Sequence, residues 1–138
     1  MKIANFLIAG AAALILTSCG GAMSFDEAKK INEVESYDKL TSEQKELIIK
    51  NSIEQTNAIE FNTDFEDKFI AGKTVLLETA EEWAKEDSNL KGLVDEYKEA
   101  EQAKKEREKE YLREGIEWAK DNGLERIAEN AENRLKNL

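Results

Sequence analysis

The 138-residue chain has no histidine and no proline, and only one cysteine, Cys19. Without histidine there is no imidazole base and no histidine-ligated metal. A single thiol closes no intrachain disulfide and builds no multi-cysteine zinc site. No glycine-rich phosphate loop is present, and no serine sits in a nucleophile motif. Aromatic residues make up 7% of the chain and charged residues 36%, a balance that suggests disorder; the periodic apolar positions described below argue against it. Carboxylates are abundant, with 30 Asp and Glu. So many acids place some of them in pairs by chance, and a paired arrangement of the glycosidase kind has no support beyond that. Around 64–67 and 121–123 the acids lack the spacing of a calcium loop. The expectation is a protein that is not an enzyme and that uses no cofactor and no metal.

What the chain does have begins at its N-terminus. Lys2 is followed by an uncharged apolar run, residues 6–16, and then by small residues. Eleven apolar residues are too few for a membrane-spanning helix, which needs about 20. With no polar face, the run is also a poor surface helix. A basic start, a short apolar core and a small-residue cleavage site form a secretory signal. The signal ends in Leu16, Thr17 and Ser18, and Cys19 follows it. This quartet resembles the lipobox of bacterial lipoproteins: an aliphatic residue three places before a cysteine, with small residues between. The resemblance covers only the first 19 residues. It implies that a diacylglycerol is joined to the Cys19 thiol, that residues 1–18 are removed, and that Cys19 becomes an often acylated first residue. Two or more acyl chains anchor a protein stably, whereas one binds marginally. Gly20 stands where an aspartate often signals inner-membrane retention, so the outer membrane is the expected location.

Removal of residues 1–18 leaves 120 residues, enough for one domain with a modest core. Of 20 basic and 30 acidic residues only Lys2 departs with the leader, leaving 19 against 30, a net charge of −11. That balance disfavours nucleic acid and anionic lipid headgroups as partners. It permits a basic protein partner. Glu, Lys, Ala and Leu dominate and all are strong helix formers. The expected fold is all-α: a small antiparallel bundle of four to five helices over residues 24–138, joined to the lipidated Cys19 by a short tether that ends at Met23.

Helix signals follow one another along that domain. Ser24 with Glu27 and Thr41 with Gln44 both have the spacing of a capping box. The first predicts a short helix to about Ser36, with Ala28, Ile31 and Val34 on its apolar stripe. Residues 37–40 form a connector. The second predicts a helix to about Ala58, with Leu47, Ile48, Ile49 and Ile53 facing the core. Residues 59–62 read as an extended connection. Phe65, Phe69, Leu76, Ala80 and Trp83 then share one helical face, which predicts a helix from Asn62 or Thr63 with Gly72 inside it. There Gly72 reads as the site where a neighbouring helix comes close. Ser88 is the expected cap of a long helix over about 89–121. Its middle, residues 98–110, is almost wholly charged, with pairs such as Glu101–Lys105 and Glu106–Lys109, and reads as a solvated bridge between two packed ends. A protruding, partner-binding arm is the other reading. Gly123 is a stop signal, after which Leu124, Ile127, Ala128, Ala131 and Leu135 mark a last helix.

Three functional classes fit these features. The first is a membrane-anchored envelope lipoprotein that acts through a protein partner. The second is an immunity-type neutraliser of a basic secreted protein. The third is a structural envelope lipoprotein, disfavoured because the chain ends in Asn137-Leu138 rather than lysine and lacks sustained heptads.

Overall fold

The computed structural model describes residues 23–61 and 72–138. The leader, Cys19 and the segment 62–71 lie outside the described residues, and with them the first half of the helix expected to start at Asn62 or Thr63. Among the described residues the fold is all-α, with five helices: α1 (Phe25–Asn32), α2 (Ser42–Ala58), α3 (Leu77–Glu86), α4 (Lys91–Asp121) and α5 (Glu125–Lys136).

Both capping boxes form. The Ser24 hydroxyl accepts from the Glu27 amide at 3.1 Å, and the Glu27 carboxylate accepts from the Ser24 amide at 2.8 Å. Thr41 and Gln44 repeat the exchange at 3.1 and 2.9 Å. Each box satisfies two amides that a helix start otherwise leaves without partners. At the other end of α4, Gly123 has φ +70°. The Leu124 amide donates to the Ala119 carbonyl at 2.8 Å and the Gly123 amide to Lys120 at 3.2 Å, the paired bonds of a Schellman stop.

Three boundaries differ from expectation. Helix α1 ends at Asn32, not near Ser36, because only Ala28 and Ile31 are buried along it; Val34 reaches the core from the loop that follows. The long helix is not started by Ser88. Asp87, one residue earlier, accepts from the Asn89 amide at 3.0 Å and opens a single 3-10 turn, Ser88–Leu90, that leads into α4. Finally, residues 72–76 are not helical, so Leu76 does not share a helical face with Ala80 and Trp83. Leu76 precedes α3 in an extended conformation and is 72% exposed.

Gly72 explains part of that last break. Its φ is +102°, where an L side chain is strained. A Cβ built there would lie 2.5 Å from the Met23 sulfur and 3.1 Å from Asn51 Nδ2. The close approach expected of Gly72 is therefore real, but it is made from a turn rather than from within a helix. Gly123 also has positive φ, yet open space surrounds it. Gly72→Ala is thus expected to cost about 1–3 kcal/mol, combining backbone strain with overpacking. Gly123→Ala carries only the strain, about 1–2 kcal/mol. Urea midpoints of the two variants, compared side by side, check the order.

The core is built from Ile31, Leu40, Ile48, Ile49, Val75, Trp83, Leu90, Val94 and Tyr97, joined by Met23. Met23 is 6% exposed, so it belongs to the packed domain and the connection to Cys19 is residues 20–22. Helix α4, about 46 Å long at 1.5 Å per residue, is the axis on which α2, α3 and α5 pack. Helices adjacent in sequence run antiparallel to it. Lys98 on α4 pairs with Glu81 on α3 at 3.4 Å, and Glu108 on α4 pairs with Arg134 on α5 at 2.7 Å. Helix α2 runs parallel to α4, since α3 carries the chain back between them. Ser42 bonds to Asp87 at one end, and Thr56 meets Glu101 at 3.4 Å near the other.

Candidate functional site

Two places on the described surface collect polar and aromatic side chains without being ordinary helix flank. The first lies between α2 and α4. Residues 73–75 cross the bundle as an extended strap with no strand beside it among the described residues. Buried backbone polar groups need partners, and here side chains supply them. The Val75 amide donates to Ser52 Oγ at 2.9 Å. The Val75 carbonyl accepts from the Tyr97 hydroxyl at 2.6 Å, and the Lys73 carbonyl from Asn51 Nδ2 at 3.3 Å. Ser52 donates its own proton to the Ile48 carbonyl at 2.8 Å. Asn51, Ser52 and Thr56 are all at most 5% exposed.

A cleft of about 500 Å³ opens beside this strap. Its polar wall includes Gln55, Thr56, Thr74, Thr79, Glu101 and Lys104, and its apolar wall Ile59, Val75 and Leu77. Burial, and after it the Glu101 carboxylate, push the Tyr97 phenol above its ordinary 10.0, so the hydroxyl stays a proton donor to the strap. At the far end of α2, the hydrogen bond from Ser42, followed by that from the Asn89 amide, holds the Asp87 carboxyl below its usual range. These groups hold the fold together. They place no nucleophile against a base. Among the described residues no group of three or more His, Cys, Asp or Glu is arranged to hold a metal ion.

The second place is the far half of α4. The charged stretch 98–110 is not a uniformly solvated bridge. Arg107 turns inward and closes the end of α2, donating from Nη2 to the Thr56 carbonyl at 2.8 Å and from Nε to the Ile59 carbonyl at 3.2 Å. A cation at a helix C-terminus meets the negative end of the helix dipole. Glu108, 15% exposed, accepts both Nε and Nη2 of Arg134. Glu101 pairs with Lys104 at 3.3 Å rather than with Lys105, because both face the cleft; Glu106 pairs with Lys109 as its spacing requires.

Beyond Arg107, α4 continues through residues 108–121, about 21 Å, with α5 folded back along it. This two-helix arm meets at small residues, Ala119 and Ala128, which are 0% and 2% exposed. Leu112, Ile116 and Leu135 are partly covered, but three other large apolar residues of the arm point outward: Trp118 is 58% exposed, Ile127 53% and Tyr111 45%. Near the base of the arm Phe61 lies against Tyr111, ring centroids 6.3 Å apart, over a cavity of about 210 Å³ lined also by Glu60, Arg107, Glu110 and Glu114.

Of the sequence-derived site residues, Cys19 lies outside the described residues. The structural polar set (Asn51, Ser52, Thr56, Tyr97 and Arg107) escaped the sequence reading. A signal was there: Ser52 and Thr56 continue the stripe of Ile48 at steps of four, so their burial follows from the same periodicity. Among the described residues no helix is long and apolar enough to cross a membrane. Comparison of the chain with known protein families, with curated proteins and with solved structures finds no match.

Proposed function

We propose that this chain is a bacterial envelope lipoprotein, anchored through an acylated Cys19, whose helical domain works by contact with a protein partner rather than by catalysis. The observation that carries the reading is the quartet Leu16-Thr17-Ser18-Cys19 at the end of an 11-residue apolar run. Cys19 is the one place where this chain offers a lipid acceptor, and an acylated thiol is inert where a free one in an oxidising compartment is reactive. Met23 packs in the core, and four Cα steps span at most about 14 Å. The domain would therefore sit close to its membrane, and Gly20 in place of an aspartate supports the outer one. The net charge of −11 keeps the domain off anionic headgroups and leaves a basic protein as the complementary partner. The same charge is what supports the second reading, a neutraliser of a basic secreted protein.

The test is metabolic labelling with palmitate. The wild-type protein takes up label and fractionates with the membrane. Cys19→Ala takes up none and leaves the membrane fraction. Label that survives Cys19→Ala overturns the proposal.

A further inference from the structure

The arm formed by α4 and α5 has two unlike sides. A residue one step before a seam position is turned by about 100° from the seam, and a residue one step after it by about 100° the other way. Because α4 and α5 are antiparallel, the steps before Ala119 and Ala128 turn toward the same side. Trp118 and Ile127 therefore emerge together, and Tyr111, two turns earlier on α4, continues their row. Lys120 and Glu129, one step after, emerge on the opposite side, where Lys120 pairs with Glu132 at 3.2 Å. One side is thus a surface of ion pairs. The other is an apolar strip of Tyr111, Trp118, Ile127 and the 37%-exposed Leu124, in a chain of which 36% is charged.

We infer that this strip is a self-association surface, and that a second copy of the chain covers it with its own arm, antiparallel. Three observations support that occupant. The strip is self-complementary: a two-fold axis crossing α4 midway between Tyr111 and Trp118, at Glu114 and Gly115, sets Tyr111 of each copy against Trp118 of the other, as an isologous contact requires. Space is available at the axis, since a Cβ at Gly115 would meet nothing within 4 Å. The length also fits. Helix α2 ends where Arg107 closes it, so the free arm is about 21 Å long, and in the antiparallel arrangement the two bodies fall at opposite ends without collision. The area decides the strength. From their exposures the four apolar side chains offer roughly 400 Å² per copy, taking 150–250 Å² for a whole large side chain. With Asn122 and Arg134 around them they stay below the approximately 800 Å² per partner of a standard interface, the area of a weak contact. The result is a reversible dimer whose contact closes a four-helix bundle. This inference does not rest on the lipid anchor.

Sedimentation equilibrium of the full chain in density-matched detergent tests it. The expected result is a monomer–dimer equilibrium with a micromolar Kd. Trp118→Glu, at an exposed position, weakens it at least tenfold with far-ultraviolet circular dichroism unchanged. Lys120→Glu, on the ion-paired side, leaves it within twofold. In a Cys19→Ala background, Gly115→Cys forms a disulfide-linked dimer under mild oxidation and Lys120→Cys does not. A chain that stays monomeric, or a dimer indifferent to Trp118→Glu, overturns the inference; the first outcome means that some other partner covers the strip.

Discussion

Ile49→Ala is expected to lower the stability of the helical domain by roughly 2–5 kcal/mol, the range for truncating a fully buried aliphatic side chain. Ile49 is 0% exposed and lies in the central cluster with Ile48, Trp83 and Val94. Truncation removes the transfer free energy of three carbons and leaves a cavity that the two flanking helices close only in part. In a domain of about a hundred residues, 1 kcal/mol moves Tm by about 4–8 °C, so the loss is a large fraction of the total stability. Leu76→Ala is the internal control. Leu76 is as apolar, but it is 72% exposed, and its truncation should change stability by no more than about 0.5 kcal/mol. Urea unfolding followed by circular dichroism checks both, with an unchanged slope showing that the midpoint shift reports stability.

The second large effect concerns the strap. Ser52→Ala leaves the buried Val75 amide without its acceptor, and Tyr97→Phe leaves the Val75 carbonyl without its donor. Each should cost about 1–3 kcal/mol, the penalty for a buried polar group that loses its partner. Since both bonds hold the same residue, the double variant should fall short of the sum by at least about 0.5 kcal/mol. Tyr97 adds a pH signature. Its folded-state pKa is raised above 10.0, by burial first and by Glu101 second. The neutral phenol is favoured in the fold, so the contribution is complete below pH 10 and declines as pH rises through the folded-state value. Tyr97→Phe should remove that alkaline decline. A decline that persists in the variant would place it on another group.

The helices were legible where the signal is local. Ser24 with Glu27 and Thr41 with Gln44 specify two helix starts through bonds made within four residues, and Asn122-Gly123 specifies a stop through backbone conformation alone. The alternation of Ile48, Ile49 and Ile53 placed the core face of α2. The strap was not legible, because Val75 is tied down by side chains 22 and 23 residues away in sequence, and its Phe–Leu–Ala–Trp spacing mimics a helix. Ser88 does not cap the long helix because the chain enters it through a 3-10 turn that Asp87 opens by accepting from the Asn89 amide, and the start of α4 itself carries no side-chain cap. Arg107 reads as one more charge in a charged stretch until the end of α2 is placed beside it. The outward turn of Tyr111 and Trp118 was not legible, because it depends on α5 packing back onto α4 over Ala119 and Ala128. The functional reading is carried by the first nineteen residues, so it stands apart from how well the helices were placed.

The intact mass of the protein extracted from native membranes tests that reading most directly. The account predicts a chain that begins at Cys19, lacks residues 1–18 and is heavier than the 120-residue polypeptide by a diacylglycerol, with or without an amide-linked acyl chain. A mass that retains the leader, or an unmodified Cys19 thiol on a chain recovered from the soluble fraction, contradicts it.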